Sequence, residues 1–172
     1  SAIEAAGTYG GTSWTVIPPI GWTWGTAGQD CNGVCIGTPV CSGVRQILVS
    51  TDAKFKFVVA ASNEPTKCSG FGSRRQKQYP GRYTGSGSDN GKCFRDSSPV
   101  SNCGADGNNY ERLCCCSSSS QANSAIQQRE CPVQSSDCGS GWAWDTAAST
   151  CSQIITCPTA PAAPANGDVS IS

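Results

Sequence analysis

Tyr110-Glu111-Arg112-Leu113-Cys114-Cys115-Cys116 is the stretch on which the organisation of this chain turns. Neighbouring cysteines rarely bond one another, because a disulfide needs separated, converging Cβ atoms. Three in a row therefore reach for three different partners, and the triplet is expected to be a crosslinking hub. Around it stand Cys31, Cys35, Cys41, Cys68, Cys93 and Cys103 on one side and Cys131, Cys138, Cys151 and Cys157 on the other. The last four are an even set, able to close on themselves with two bridges in three connectivities. The nine before residue 117 are odd in number, so one of them stays free, bonds another chain, or joins the second unit to the first.

Composition explains why so many cysteines are needed. Leu, Ile, Val and Phe together number 25 of 172 residues, and there is no Met. A core that poor suggests disorder when net charge is large, but here twelve basic and twelve acidic residues cancel. Disulfides at roughly 2–4 kcal/mol each supply the missing stability. Such a chain belongs in an oxidising compartment, secreted or at the cell surface. Opening on Ser1 rather than Met, it is expected to be a mature chain whose signal has been removed. The longest apolar run, Phe57-Val58-Val59-Ala60-Ala61, is too short to span a bilayer. No Asn lies in a glycosylation sequon, so any sugar is expected to be O-linked.

A second pattern is a repeat. Gly21-Trp22-Thr23-Trp24-Gly25-Thr26-Ala27 is followed by Cys31, and Gly141-Trp142-Ala143-Trp144-Asp145-Thr146-Ala147 by Cys151, aligned without a gap. In an extended strand the two rings of Trp-x-Trp fall on one side, where they cover a disulfide and serve as core. The competing reading makes Trp22, Trp24, Trp142 and Trp144 a sugar-stacking surface.

Taken in order, the chain reads as an extended arm over 1–20, a cysteine-rich β module over 21–116, a Ser-rich linker over 117–130, a four-cysteine module over 131–157 and a Pro/Ala-rich tail over 158–172 that ends in a strand-like alternation. Within the first module, Val44 to Ser50, a turn at Thr51-Asp52-Ala53, and Lys54 to Ala60 read as a β-hairpin, since Lys54-Phe55-Lys56-Phe57 alternates. Residues 62–100 are expected to be irregular and disulfide-tethered, and Gln121 to Glu130 a short helix. The fold class is thus small, disulfide-rich, mostly β and irregular, with a hairpin near 44–60, a second small four-cysteine knot and extended termini.

Charge is uneven along the chain. Residues 45–95 hold ten Lys/Arg against three Asp/Glu, and the remainder two against nine. The basic patch Arg74, Arg75, Lys77 and Arg82, beside Tyr79, has the residue types that hold single strands of nucleic acid. In a secreted chain an acidic polysaccharide or protein surface fits better, and nucleic acid is not expected. With no His, Ser-His-Asp and Cys-His catalysis are excluded, and the scattered carboxylates form no glycosidase pair. No enzyme is expected. Nor is a cofactor: zinc prefers tighter Cys-x2-Cys pairs, often with His, and Ser88-Asp89-Asn90-Gly91 with Asp96 does not match a calcium loop.

Trp22, Gly25, Gly28, Gln29, Cys31 and Cys35, with Tyr110, Arg112, Leu113, Cys114 and Cys116, resemble a pattern in cysteine-rich extracellular modules of algal and other protist surface proteins. The resemblance covers about residues 21–116 and implies secretion, without implying a chemistry. An aromatic residue is usual in that pattern where Cys115 stands, which makes Cys115 the expected free or intermolecular thiol and leaves the other twelve cysteines to disulfides. Residues 131–157 also resemble a small chitin-binding or growth-factor-like knot.

The reading that follows is an extracellular structural protein, a subunit of a coat or filament, self-associating through its extended ends. Pro158, Thr159, Pro161 and Pro164, and Ser117, Ser118, Ser119 and Ser120, are the candidate O-glycosylation sites. The partners expected are other copies of the chain and glycans. The alternatives are a secreted carbohydrate-binding module and an inhibitor-like binder presenting the loop 72–83.

Overall fold

The computed structural model describes residues 8–9, 12–13, 20–36, 39–76, 78–97 and 103–155. The short strands Thr8–Tyr9 (β1) and Thr12–Ser13 (β2) pair with each other. There follow Gly21–Trp24 (β3), the helical turn Cys31–Val34 (α1), Val40–Cys41 (β4), and the helices Gly43–Ile47 (α2) and Asp52–Ala60 (α3). Next come Gly70–Arg74 (β5), Gly81–Tyr83 (β6), Lys92–Asp96 (β7) and Tyr110–Ser117 (β8). Helix Ala125–Glu130 (α4) and the hairpin Trp142–Asp145 (β9) with Thr150–Gln153 (β10) close the described part. The fold is small, disulfide-rich and mostly β, with few helices.

One sheet of six strands organises it, in the order β3-β8-β6-β7-β5, with β4 also paired to β8. All pairs are antiparallel except β5 with β7. β8 lies inside the sheet, and there the triplet is sorted by the two-residue period of a strand. Cys114 and Cys116 point to one face and bond Cys31 and Cys35 of the α1 turn, with Cα separations of 5.4 and 5.3 Å. Two residues of strand advance about 6.6–6.8 Å, and four residues of helix rise about 6 Å. A helical turn lying along the strand therefore meets both sulfurs at once. Cys115 points to the other face and bonds Cys131, while Cys41–Cys103 and Cys68–Cys93 tie the flanks.

Each face has its own core. On the Cys115 face Trp22, Trp24, Val49, Phe55, Val58, Val59, Leu113 and Val133 pack around Cys93, Cys115 and Cys131; on the other face the core is the sulfur cluster of Cys31, Cys35, Cys114 and Cys116. Arg112, fully buried, donates to the carbonyls of Cys103 and Ala105 and to Gln46 Oε1 (3.0 Å). Burial pushes its guanidinium down to about 10, opposed by the charges of Asp30 and Asp106, so it is charged at neutral pH.

Four expectations are overturned, the first being the irregular stretch 62–100, which holds β5, β6 and β7 of the main sheet. Residues 44–60 form no hairpin: Ser42 and Thr51 side chains accept from the backbone N–H groups of Arg45 and Lys54 and so cap α2 and α3. What read as a turn is a helix start, with Asp52 in its first turn, favoured by the helix dipole. Residues 131–157 do not close on themselves, because Cys131 bonds Cys115, leaving Cys138–Cys151 as the unit's own bridge. Cys115 is therefore not the odd thiol. The six bridges use all the other twelve cysteines, so Cys157, which lies outside the described residues, has no cysteine left to it within this sequence. The tail 158–172 and most of the arm 1–20 also lie outside them.

Candidate functional site

The two Gly-Trp-x-Trp repeats both form strands, and each begins on a glycine with positive φ, Gly21 at 116° and Gly141 at 79°. At Gly21 the need is also steric, since a Cβ there would stand 3.3 Å from the carbonyl oxygen of Glu130. Beyond that point the repeats diverge. Trp22 and Trp24 in β3 are 2 % and 6 % exposed. Their indole N–H groups are satisfied internally, Trp22 Nε1 donating to Pro132 O (2.8 Å) and Trp24 Nε1 to Ser62 Oγ (3.0 Å). They are core, and the sugar-stacking role considered for them fails because no ring face is left to a ligand. Trp142 and Trp144 in β9 are half-buried. Trp144 lies against Phe57 of α3 with centroids 4.6 Å apart, and the Arg129 guanidinium of α4 sits 5.1 Å from the Trp142 ring.

These contacts dock the β9–β10 hairpin against α3 and α4 and leave a cleft of about 900 Å³ beside β3. It is lined by Gly21 to Thr23 of β3 with Ile20 and Pro132, by Ile126, Arg129 and Glu130 of α4, by Trp142 with Ala148 to Cys151, and by Ala61 to Glu64, which follow α3. The volume falls in the range of small-ligand pockets, and such sites are mostly apolar with a few placed polar groups.

The polar groups here are largely spoken for. Glu130 accepts from the hydroxyls of Ser117 and Ser118 and from the Ser118 N–H (2.9 Å). Glu64 pairs with Lys67 Nζ at 2.9 Å. Asn63 Oδ1 accepts the Trp24 N–H at 3.0 Å, so its amide NH2 is the end left to donate outward. The cleft is thus an aromatic and aliphatic trough with donors at its rim and no concentrated charge. Of its lining only the tryptophans had a sequence signal. Arg129, Ile126 and Asn63 come together from segments more than sixty residues apart and carried none.

The other candidate residues fall elsewhere. Arg74 pairs with Asp89 and lies 4.1 Å from the Phe94 ring; Arg82 pairs with Glu111 at 3.0 Å; Arg75 is exposed, and Lys77 lies outside the described residues. The basic patch is therefore not a continuous cationic surface. Arg45–Asp137 and the Lys67 and Arg82 pairs with Glu111 bring the basic middle of the chain against its acidic remainder within one molecule. Ser117 is buried against Glu130 and closed to a glycosyltransferase, whereas Ser118 and Ser120 are exposed and Ser119 half-buried. Pro158, Thr159, Pro161 and Pro164 lie outside the described residues. The sulfurs that a zinc site would draw on are bonded to each other, and among the described residues no cluster of three His, Cys, Asp or Glu could hold a metal. Among them, too, no helix is long and apolar enough to cross a membrane. Compared with known proteins, the chain matches no family model, no curated sequence and no solved structure.

Proposed function

We propose that this chain is an extracellular structural protein whose copies join into a coat or filament. Its six bridges fit an oxidising, secreted setting. The observation that carries the reading is the odd cysteine: with twelve of thirteen paired, Cys157 stands just past the stapled body without a mate in this sequence. In a secreted protein a leftover cysteine points to a bond with another molecule or to a free reactive thiol, and a second copy offers the same thiol in the same surroundings. One such cysteine makes only dimers, so a larger assembly needs a second, non-covalent contact that repeats from copy to copy.

The test is mass analysis of untreated protein with and without reductant, beside Cys157→Ser. The expected result is a species of twice the 17.7 kDa chain that reduction splits and the substitution abolishes, with the six internal bridges intact in both. Recovery of monomer alone, with Cys157 free or capped by a small thiol, counts against the covalent link. A chain that also sediments as a monomer at every concentration sinks the structural reading as a whole.

A further inference from the structure

Pro158, Pro161 and Pro164 stand three residues apart in Pro-Thr-Ala-Pro-Ala-Ala-Pro. Three residues is the turn of a polyproline II helix, so in that conformation the three rings form one ridge, about 19 Å from first to last at 3.1 Å per residue. Grooves lined by aromatic side chains are the usual receptors for such ridges, because the segment is already extended and loses little entropy on docking. We infer that the cleft between β3, α4 and the β9–β10 hairpin receives the Pro158-Pro161-Pro164 ridge of a second copy. The inference rests on the self-association proposed above and supplies its non-covalent contact.

Three observations favour this occupant. The cleft combines Trp142 with Ile20 and Ile126, while its carboxylates are engaged by Ser117, Ser118 and Lys67. It is built for an uncharged guest, and residues 156–167 carry no charge. A polyproline backbone lacks N–H groups at its prolines but presents carbonyls throughout. The donors left at the rim, the Asn63 amide and the Arg129 guanidinium, are the complement to those carbonyls. Finally, the guest comes more readily from a neighbour than from the same chain. Thr150 and Cys151 wall the cleft, and a return into it would need a reversal soon after Ile155. Cys157, preceding a proline, is biased to extended backbone, and no glycine stands between Ile155 and Pro164. A free sugar is the weaker guest, since the burial of Trp22 and Trp24 removes two of the four rings it would stack on.

The experiment uses the full chain with Cys157→Ser throughout, so that no disulfide substitutes for docking, and reads sedimentation velocity. One variant loses the ridge (Pro158, Pro161 and Pro164 all →Ala). Two others damage the cleft: Trp142→Ala, and Ala148→Lys, which crowds it from an exposed position at no cost to the core. Each is expected to weaken self-association roughly 30-fold or more, the loss that attends removal of an aromatic hot spot. Mixing the ridge variant with either cleft variant is expected to restore a one-to-one dimer, since that pair retains one intact cleft and one intact ridge. A parent chain that does not associate defeats the underlying self-association reading. A parent that associates while the variants associate equally well overturns this inference alone. So does a mixture of monomeric variants that stays monomeric, as a tail docked in its own cleft requires. A Trp142 fluorescence change on adding chito-oligosaccharide, with ridge and parent chains associating alike, assigns the cleft to glycan and overturns it too.

Discussion

Arg45 is 2 % exposed, and each of its three guanidinium nitrogens donates inside the protein. Its Nε donates to Cys131 O (3.0 Å), Nη1 to Asn123 Oδ1 (3.1 Å), and Nη2 pairs with Asp137, whose Oδ2 also accepts the Val133 N–H (2.9 Å). One side chain thus fixes α2 to the segment that carries the second Trp repeat. Removing one partner of such a pair leaves the other charge buried, and we expect Arg45→Ala to cost about 3–5 kcal/mol. Arg45→Lys should recover little of it, because an ammonium lacks the planar fork that meets three acceptors in different directions. Denaturant unfolding without reductant measures both, and a loss below about 1 kcal/mol would place the pair with surface ion pairs instead. Nothing local in the sequence marks Arg45, since its partners lie 78 to 92 residues away. Trp-x-Trp, by contrast, has a period that speaks for itself. In β3 both rings lie in one core with Cys115 and Cys131, but the same pattern in β9 leaves both half-exposed, because the pattern does not say how much protein lies opposite.

At the scale of elements, the connection between β6 and β7 is held by Asp89. It takes Lys92 Nζ of β7 at 2.9 Å and the Arg74 guanidinium of β5, so one carboxylate ties the connection to two strands. The hydrogen bond from Lys92 is the largest influence and, with the charges of Lys92 and Arg74, holds it below its ordinary value of 3.8 although desolvation pushes the other way. A carboxyl depressed in the folded state stabilises above its unfolded value, and that contribution fades as pH falls through the folded one. Stability should therefore drop on acidification below about pH 4, and Asp89→Asn should remove that part of the slope while leaving neutral-pH stability somewhat lower. Unfolding curves from neutral to acid pH compare the two, and identical slopes would show the clasp to be idle. Reading elements from sequence succeeded where spacing is long-range in consequence but short in pattern, as with three adjacent cysteines needing three partners. It failed at 44–60. There Lys54-Phe55-Lys56-Phe57 suggests a period of two, but the buried residues of α3 are Phe55, Val58 and Val59, at helical spacing. The capping Thr51, with Asp52 behind it, was the signal that outweighs the alternation.

For the molecule as a whole, the bridges are not independent, and their nesting governs how stability is distributed. Cys31–Cys114 and Cys35–Cys116 span 83 and 81 residues. Once either is closed, the other closes only a small circuit, four residues along α1 and two along β8. Because Cys41–Cys103 already shortens the long loop to a circuit of about 21 residues, on the loop-entropy account the first is worth about 3.3 kcal/mol and the second about 2 kcal/mol, whichever order is taken. Converting either pair to alanines should then cost about 2 kcal/mol beyond local repacking, whereas converting both should cost about 5–6 kcal/mol. The second figure is comparable to the whole stability of a small domain. The first should leave a folded chain with a lowered Tm, and the second a chain that does not fold, since the face behind β8 has sulfur where other proteins have a hydrocarbon core. Additive losses in the two single-pair variants and the double would contradict the nesting, because they would mean that each bridge closes its long loop alone. The same redundancy suits a protein proposed to work outside the cell: a single reduction event in this sulfur cluster leaves the long loop closed by the surviving bridge.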